Sequence, residues 1–245
     1  MKTHFPHYHT NQNSEGIQVM RSEEFPELYL IAARELYKHT ELDFVKEHLR
    51  DLRAVTDWIL SFISMSNPEL VRSGAVCPYT ENSIIQGRLL LTVFEQKQPK
   101  IEEICQIVKN YQAWYNQIIG ESKSEYEALH TSIVILFPNL PKEETYDLIE
   151  GSHRQLKPHF VKNKHMIGQF YPDCEVPSVW NPDFKPMKSP IPLLVIRKMI
   201  KTDFSFLKDN RFFIETYLQT FKENGIPAKY LKEIKSRYNI ELGTK

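Results

Sequence analysis

The sequence predicts a single α+β domain: a central mixed sheet of about four strands, flanked by helices and wrapped by a long ordered proline-rich loop. Three observations predict it. Apolar runs of strand length alternate with helix-length apolar stripes. These elements continue from residue 24 to residue 238 without a linker, in a chain of 245 residues that is long enough to bury a sizeable core. Between two of the apolar runs, His165 to Met199 holds six prolines (Pro172, Pro177, Pro182, Pro186, Pro190 and Pro192). Proline fixes φ and removes a donor, so no helix fits there. The same stretch carries Phe170, Tyr171, Val176, Trp180, Phe184 and Met187, too much apolar surface for a disordered segment.

The elements follow in order. Residues 1–22 are polar and His-rich and read as a loose arm. Glu24 to Tyr37 places Leu28, Ile31, Ala32 and Leu36 at helical spacing. Phe44 to Ile63 carries a stronger stripe, and Asn67-Pro68 lies just beyond it. Residues 64–83 read as irregular. LLLTVF (89–94) is a strand by its branched and aromatic content. Pro99 opens a helix whose face holds Ile101, Ile104, Cys105, Val108, Tyr111, Trp114 and Ile118, and Gly120 ends it. SIVILFP (132–138) is a buried strand. A helix starts after Leu140-Pro141 with an acidic first turn and reaches Leu156, its end weakened by Gly151 and Pro158. MIGQFY (166–171) and LLVIRKM (193–199) are strands on either side of the proline loop. Two helices follow, Phe204 to Phe221 and Pro227 to Tyr238.

Composition excludes several classes. Lys+Arg and Asp+Glu both number 31, and a nucleic-acid protein usually shows a basic excess. The longest apolar run is far short of a membrane span, and MKTHFPHYHTN has no apolar signal core. The three cysteines, Cys77, Cys105 and Cys174, form no disulfide framework and no C-x-x-C pair. A reduced, cytoplasmic protein is expected. No phosphate-binding glycine loop, G-x-S-x-G or H-E-x-x-H is present. The expected partner is a small-molecule substrate, with no nucleic acid and no membrane; a homodimer is open as an assembly.

The chemistry-bearing residues each have two readings. Cys77 precedes Pro78, which holds it out of helical geometry, so its thiol either faces a cavity or packs as an inert structural thiol. His153-Arg154, with Lys157 one turn on, either offers an imidazole and two cations to an anionic group or is a solvated basic helix end. His130 has the same ambiguity. His4, His7 and His9 have metal-compatible spacing on what reads as a flexible arm. Arg197 is a charge in an apolar strand, on the same face as Val195 and Met199. It is either paired, with Asp173 or Asp183 as candidate partners, or aimed at a site. Trp180 and Phe184 are expected to be hidden in the core beneath the loop.

The segments VCPYTENSIIQGRLLLTVFE and HMIGQFYPDCEVPSVWNPDFKPMKSPIPLLVIRKM, with ILFPNLP and LKPHFV, resemble an uncharacterised bacterial domain family found beside natural-product biosynthesis genes. The resemblance covers roughly residues 65–210. A histidine is common in that family where Tyr171 and Lys198 stand here. The Cys-Pro-aromatic and Gly-x-Leu pattern is also similar to the YqcI/YcgG-type family, which includes haem-dependent N-hydroxylases of guanidino compounds. That resemblance implies a haem-dependent oxygenase-like enzyme of specialised metabolism acting on a small amino-acid-like substrate. Its iron ligand would be His153 or Cys77, with Arg154, Lys157 and Trp180 holding the cofactor and Arg197 and Asp173 taking part in catalysis. The alternative is a non-catalytic protein that holds a metabolite or peptide in a proline-loop pocket.

Overall fold

A computed structural model describes residues 16–222 and 225–239. It is a mixed α+β structure around an open six-stranded sheet. The strands are β1 (Val19–Arg21), β2 (Tyr29–Ala32), β3 (Leu89–Val93), β4 (Ser132–Leu136), β5 (His165–Phe170) and β6 (Leu193–Lys198), in the order β1-β2-β3-β4-β6-β5. Only β3 and β4 pair in parallel. The helices are α1 (Asp43–Trp58), α2 (Thr80–Ile85), α3 (Ile101–Gly120), α4 (Glu125–His130), α5 (Thr145–Lys162), α6 (Phe204–Leu207), α7 (Arg211–Phe221) and α8 (Ala228–Tyr238). The β3–α3–α4–β4 crossover is what a parallel pair requires, since no hairpin can join parallel strands.

Strand alternation sorts the core onto two faces. Leu90, Ile133, Ile135, Ile167, Leu194 and Ile196 pack against α3 and α5 through Val108, Trp114, Tyr115, Ile149, Leu156 and Phe160. Leu89, Leu91, Val93, Val134, Leu136 and Leu193 pack on the other face against Val45, Leu52, Val55 and Ile59 of α1. A third cluster joins Met166 and Met199 to Phe204, Leu207, Ile214, Tyr217 and Ile234, so α6, α7 and α8 cover the β5 side of that second face.

The sheet is larger than the sequence suggests, and the difference lies at its start. Glu24 to Tyr37 is not a helix: Tyr29–Ala32 is a strand, followed by a 3₁₀ turn at Ala33–Glu35. Tyr29, Leu30 and Ile31 are all buried, and a strand buried on both faces shows a continuous apolar run that also matches helical spacing. The expected arm is shortened as well, since β1 lies within residues 16–22 and pairs with β2. His4, His7 and His9 lie outside the described residues. The long helix expected at Phe204–Phe221 is two helices with a break at Lys208–Asn210, where Asn210 caps α7 through Phe213 N–H. In contrast, α5 runs through Pro158 to Lys162 rather than ending at Leu156. The irregular stretch 64–83 contains a 3₁₀ turn at Pro68–Leu70 and the start of α2.

Candidate functional site

The second face of the sheet is not fully covered. On β6, Leu194 and Ile196 of the first face are completely buried, whereas Val195 and Arg197 on the opposite face are only half-buried. On β5, Gly168 and Phe170 of that same face are half-buried as well. These residues form a half-buried strip of the sheet between the α1 layer and the α6–α8 layer, the candidate cleft. A Cβ built on Gly168 would come within 3.3 Å of the Phe170 ring, so the ring lies close over the backbone there.

An aromatic wall borders this floor. Trp58, at the end of α1, meets Phe170 edge-on at 5.7 Å and stacks on Phe62 at 6.2 Å. Phe62 in turn meets Phe184 of the proline loop at 6.0 Å. Offset and edge-on geometries are those aromatic pairs prefer. Local backbone geometry explains the placement. α1 runs into a π-helical turn at Ile59–Ile63, closed by Ser64 N–H donating to the Ile59 carbonyl. A π turn re-aims the side chains that follow it and often marks a functional site. Here it presents Phe62 to the cleft, and the Ile63 carbonyl accepts from Cys77 N–H at 2.8 Å. Arg72 then staples the loop by donating to the carbonyls of Ser73, Ala75 and Val76. Cys77 is thus held beside the π turn as a free, half-buried thiol that packs, as Val195 and Phe170 do, against the α1-side core.

Arg197 completes the floor. Its partner is Asp203, not Asp173 or Asp183. Nη1 donates to Asp203 Oδ2 at 2.8 Å and to the Lys198 carbonyl at 3.0 Å, and Nη2 donates to Asp203 Oδ1 at 2.6 Å. Asp203 is 1% exposed and also accepts from Ile200 N–H, whereas the Arg197 side chain is 30% exposed. Burial alone would ease the guanidinium proton off. The Asp203 carboxylate outweighs it and holds Arg197 above its ordinary range, with smaller contributions from Cys77 and Tyr115. Cys77 and Arg197, 120 residues apart, therefore come within electrostatic reach of each other.

The remaining candidates stand elsewhere. His153 is buried at the free edge of β5, where it hydrogen-bonds the Ile167 backbone. Burial first, then the positive charge of Lys157, pushes its pKa down to about 4, so the ring is neutral. Arg154, its neighbour, is exposed, and the Lys157 ammonium lies 5.8 Å from the Phe213 ring centroid. The two cations do not converge on the imidazole. His130 Nδ1 donates to the Tyr126 carbonyl at 2.7 Å, and its ring packs at a tilt against Tyr126 with centroids 4.0 Å apart. Asp173 and Asp183 are exposed.

Trp180 is 55% exposed, with Lys229 of α8 5.9 Å from its ring, so it is no core plug; Phe184 (5% exposed) is the buried anchor of the proline segment. Cys174 is buried beside Tyr171, whose hydroxyl donates to Glu150 Oε1 at 3.1 Å. A shallow groove of about 500 Å³ on α8, lined by Lys229, Lys232, Glu233, Ser236 and Arg237, carries charges on both sides and no apolar floor. Among the described residues no group of three or more His, Cys, Asp or Glu is placed to hold a metal ion. No helix among them is long and apolar enough to cross a membrane.

Sequence reasoning missed Trp58, Phe62, Gly168 and Asp203. A lone glycine inside an apolar strand was the one signal available, since it marks a place where something approaches the backbone closely. The others depend on a π turn and on a side-chain pairing that no spacing announces.

No curated protein and no solved structure matches the chain. A family model does, over residues 52–232, which run from within α1 into α8 and take in every cleft residue named above. The chain belongs to that family, the domain of unknown function DUF6875.

Proposed function

We propose that the chain is a haem-dependent oxygenase-like enzyme acting on a small amino-acid-like substrate, with Cys77 as the iron ligand and the cleft over β5 and β6 as its site. One observation carries this reading: a free, half-buried thiol borders an apolar, aromatic cleft on the same sheet face as a guanidinium. The donor set suits the group. A thiolate is a haem ligand that pushes electron density onto iron and favours O–O cleavage. Trp58, Phe62 and Phe170 give a flat macrocycle apolar surface.

His153 suits the role less. Its ring is engaged by the Ile167 backbone at a strand edge, and Arg154 points to solvent. The resemblance to the YqcI/YcgG-type family involves both the Cys-Pro-aromatic and Gly-x-Leu pattern, where the thiol stands, and a His-Arg pair that His153-Arg154 would match.

Reconstitution with haem tests the proposal. The expected result is a Soret band in the loaded protein and a strongly red-shifted band in its reduced CO complex, lost in Cys77→Ser and kept in His153→Gln. A protein that takes up no haem discards the enzyme reading. It leaves the cleft as the site of a non-catalytic binding protein.

A further inference from the structure

We propose that the second donor fork of Arg197 is a carboxylate-binding subsite in the floor of the cleft. A guanidinium has five N–H donors. Arg197 uses three, two from Nη1 and one from Nη2, on Asp203 and the Lys198 carbonyl. The end-on fork formed by Nη1 and Nη2 is thus filled by Asp203. The inner Nη1 hydrogen, on the side of Cδ, is filled by the Lys198 carbonyl.

What remains is Nε–H and the inner hydrogen of Nη2. These two lie on one edge of the guanidinium and point the same way, the spacing that receives both oxygens of a carboxylate. The side chain is 30% exposed, and among the described residues these two donors have no hydrogen-bond partner. It projects from the same strand face as Val195, level with Met166 of β5, while Phe170 and Trp58 stand toward the other end of that face, level with Leu193.

Asp203 acts here as a positioning residue. It is fixed in turn by Ile200 N–H, and it locks the guanidinium plane, so little rotamer freedom remains to be lost when a second carboxylate binds. The ligand class that fits is a small acid with an apolar or aromatic body. The carboxylate meets the fork and the body lies over Val195, in the direction of Gly168 and Phe170. The subsite rests on the cleft being the ligand site and not on haem. A colourless protein that still prefers acids would discard the oxygenase reading and leave this one standing.

The probes are indole-3-acetate and indole-3-acetamide, which differ in the charge and donor set of one group. Calorimetry on the full chain should show the acid binding roughly tenfold or more tightly than the amide, as charge-assisted hydrogen bonds require. Arg197→Lys keeps the charge but loses the fork, and should bring the two affinities together. NMR of the wild-type arginine side chains gives a readout that needs no variant. The Arg197 Nε–H resonance should shift with the acid and stay in place with the amide, which decides the matter even if Arg197→Lys does not fold. Loading with haem and with its dimethyl ester separates the sources of the carboxylate. Equal uptake of both assigns the fork to a second molecule's acid, and uptake of haem alone assigns it to a propionate. Equal binding of acid and amide, binding of neither, an unmoved Nε–H signal, or an unchanged preference in Arg197→Lys would overturn the subsite.

Discussion

Replacing Phe184 and Trp180 separately by alanine asks whether the proline-rich segment is anchored as the structure has it. Phe184 is 5% exposed and meets Phe62 at 6.0 Å. Its backbone accepts from Ser178 N–H at 2.8 Å and donates to the Asn181 carbonyl at 3.2 Å, so the ring is held from both sides of a tight turn. Phe184→Ala removes about 130 Å² of buried apolar surface, or about 3 kcal/mol at 25 cal/mol/Å². The cavity left behind brings the cost to about 3–4 kcal/mol. Trp180 is 55% exposed and keeps one clear partner, Lys229. An exposed cation–π contact is worth about 0.5 kcal/mol, so Trp180→Ala should cost less than about 1 kcal/mol. Urea unfolding followed by far-UV circular dichroism measures both. With a slope of about 3 kcal/mol/M, Phe184→Ala should lower the midpoint by about 1 M, and Trp180→Ala should barely move it. Equal costs, or the reverse order, would refute the assignment of Phe184 as the anchor.

Acid should destabilise the fold through two buried imidazoles. His153 and His165 are each held near about 4 by burial, against 6.5 unperturbed, so the unfolded chain binds more protons between those values and stability falls as pH drops from about 6.5 to about 4. The loss is on the order of 3 kcal/mol per histidine, and His153→Gln should flatten half of it in a pH series of urea midpoints; an unchanged pH slope would rule the histidine out as the cause. Gly168→Ala should push the Phe170 ring aside, because a Cβ there comes within 3.3 Å of it. It should weaken uptake of haem or of aromatic acids, and undiminished uptake would place the ligand elsewhere. Asp203→Ala should cost about 2–4 kcal/mol, since it strands a partly buried guanidinium and frees Ile200 N–H, and a cost under 1 kcal/mol in urea melts would mean the pair is solvated.

The central strands, α3 and α1 were legible because each is long and has a single clear period. LLLTVF and SIVILFP are buried on both faces, and the Phe44–Ile63 stripe is a helix. The failure at Tyr29–Ala32 has the same origin as those successes: four consecutive buried or half-buried residues fit either period. Of the site, Cys77 and Arg197 were both visible as chemistry out of place, a thiol before proline and a charge in an apolar strand. Their juxtaposition was not visible. It depends on the Ile59–Ile63 turn, whose i to i+5 bond leaves no mark in residue type. Trp180 misled as a core residue, because residue type announces what a side chain can do but not which way its element turns it.

The position of the cleft follows from Arg197 itself. A helix laid over Val195 and Arg197 would have to bury a guanidinium, and burying an ion costs several kcal/mol unless its pairing is complete. Asp203 supplies part of that pairing from the turn just after β6, and it leaves one edge of the guanidinium unfilled. The α1 layer therefore stops at Leu193 and Phe170, and the α6–α8 layer takes over at Met166 and Met199. Between them the floor stays open, closed at its rim only by rings that tolerate partial exposure. A charge that a purely structural strand would have replaced with valine is what keeps the two helical layers apart. Arg197→Met with Asp203→Asn should let that gap tighten. The double variant is expected to be as stable as the wild type or more so, while losing the acid preference, with urea midpoints and calorimetry read side by side. A double variant that is less stable by more than about 2 kcal/mol would show that the pair holds the fold together and would remove the case for its being kept for a ligand.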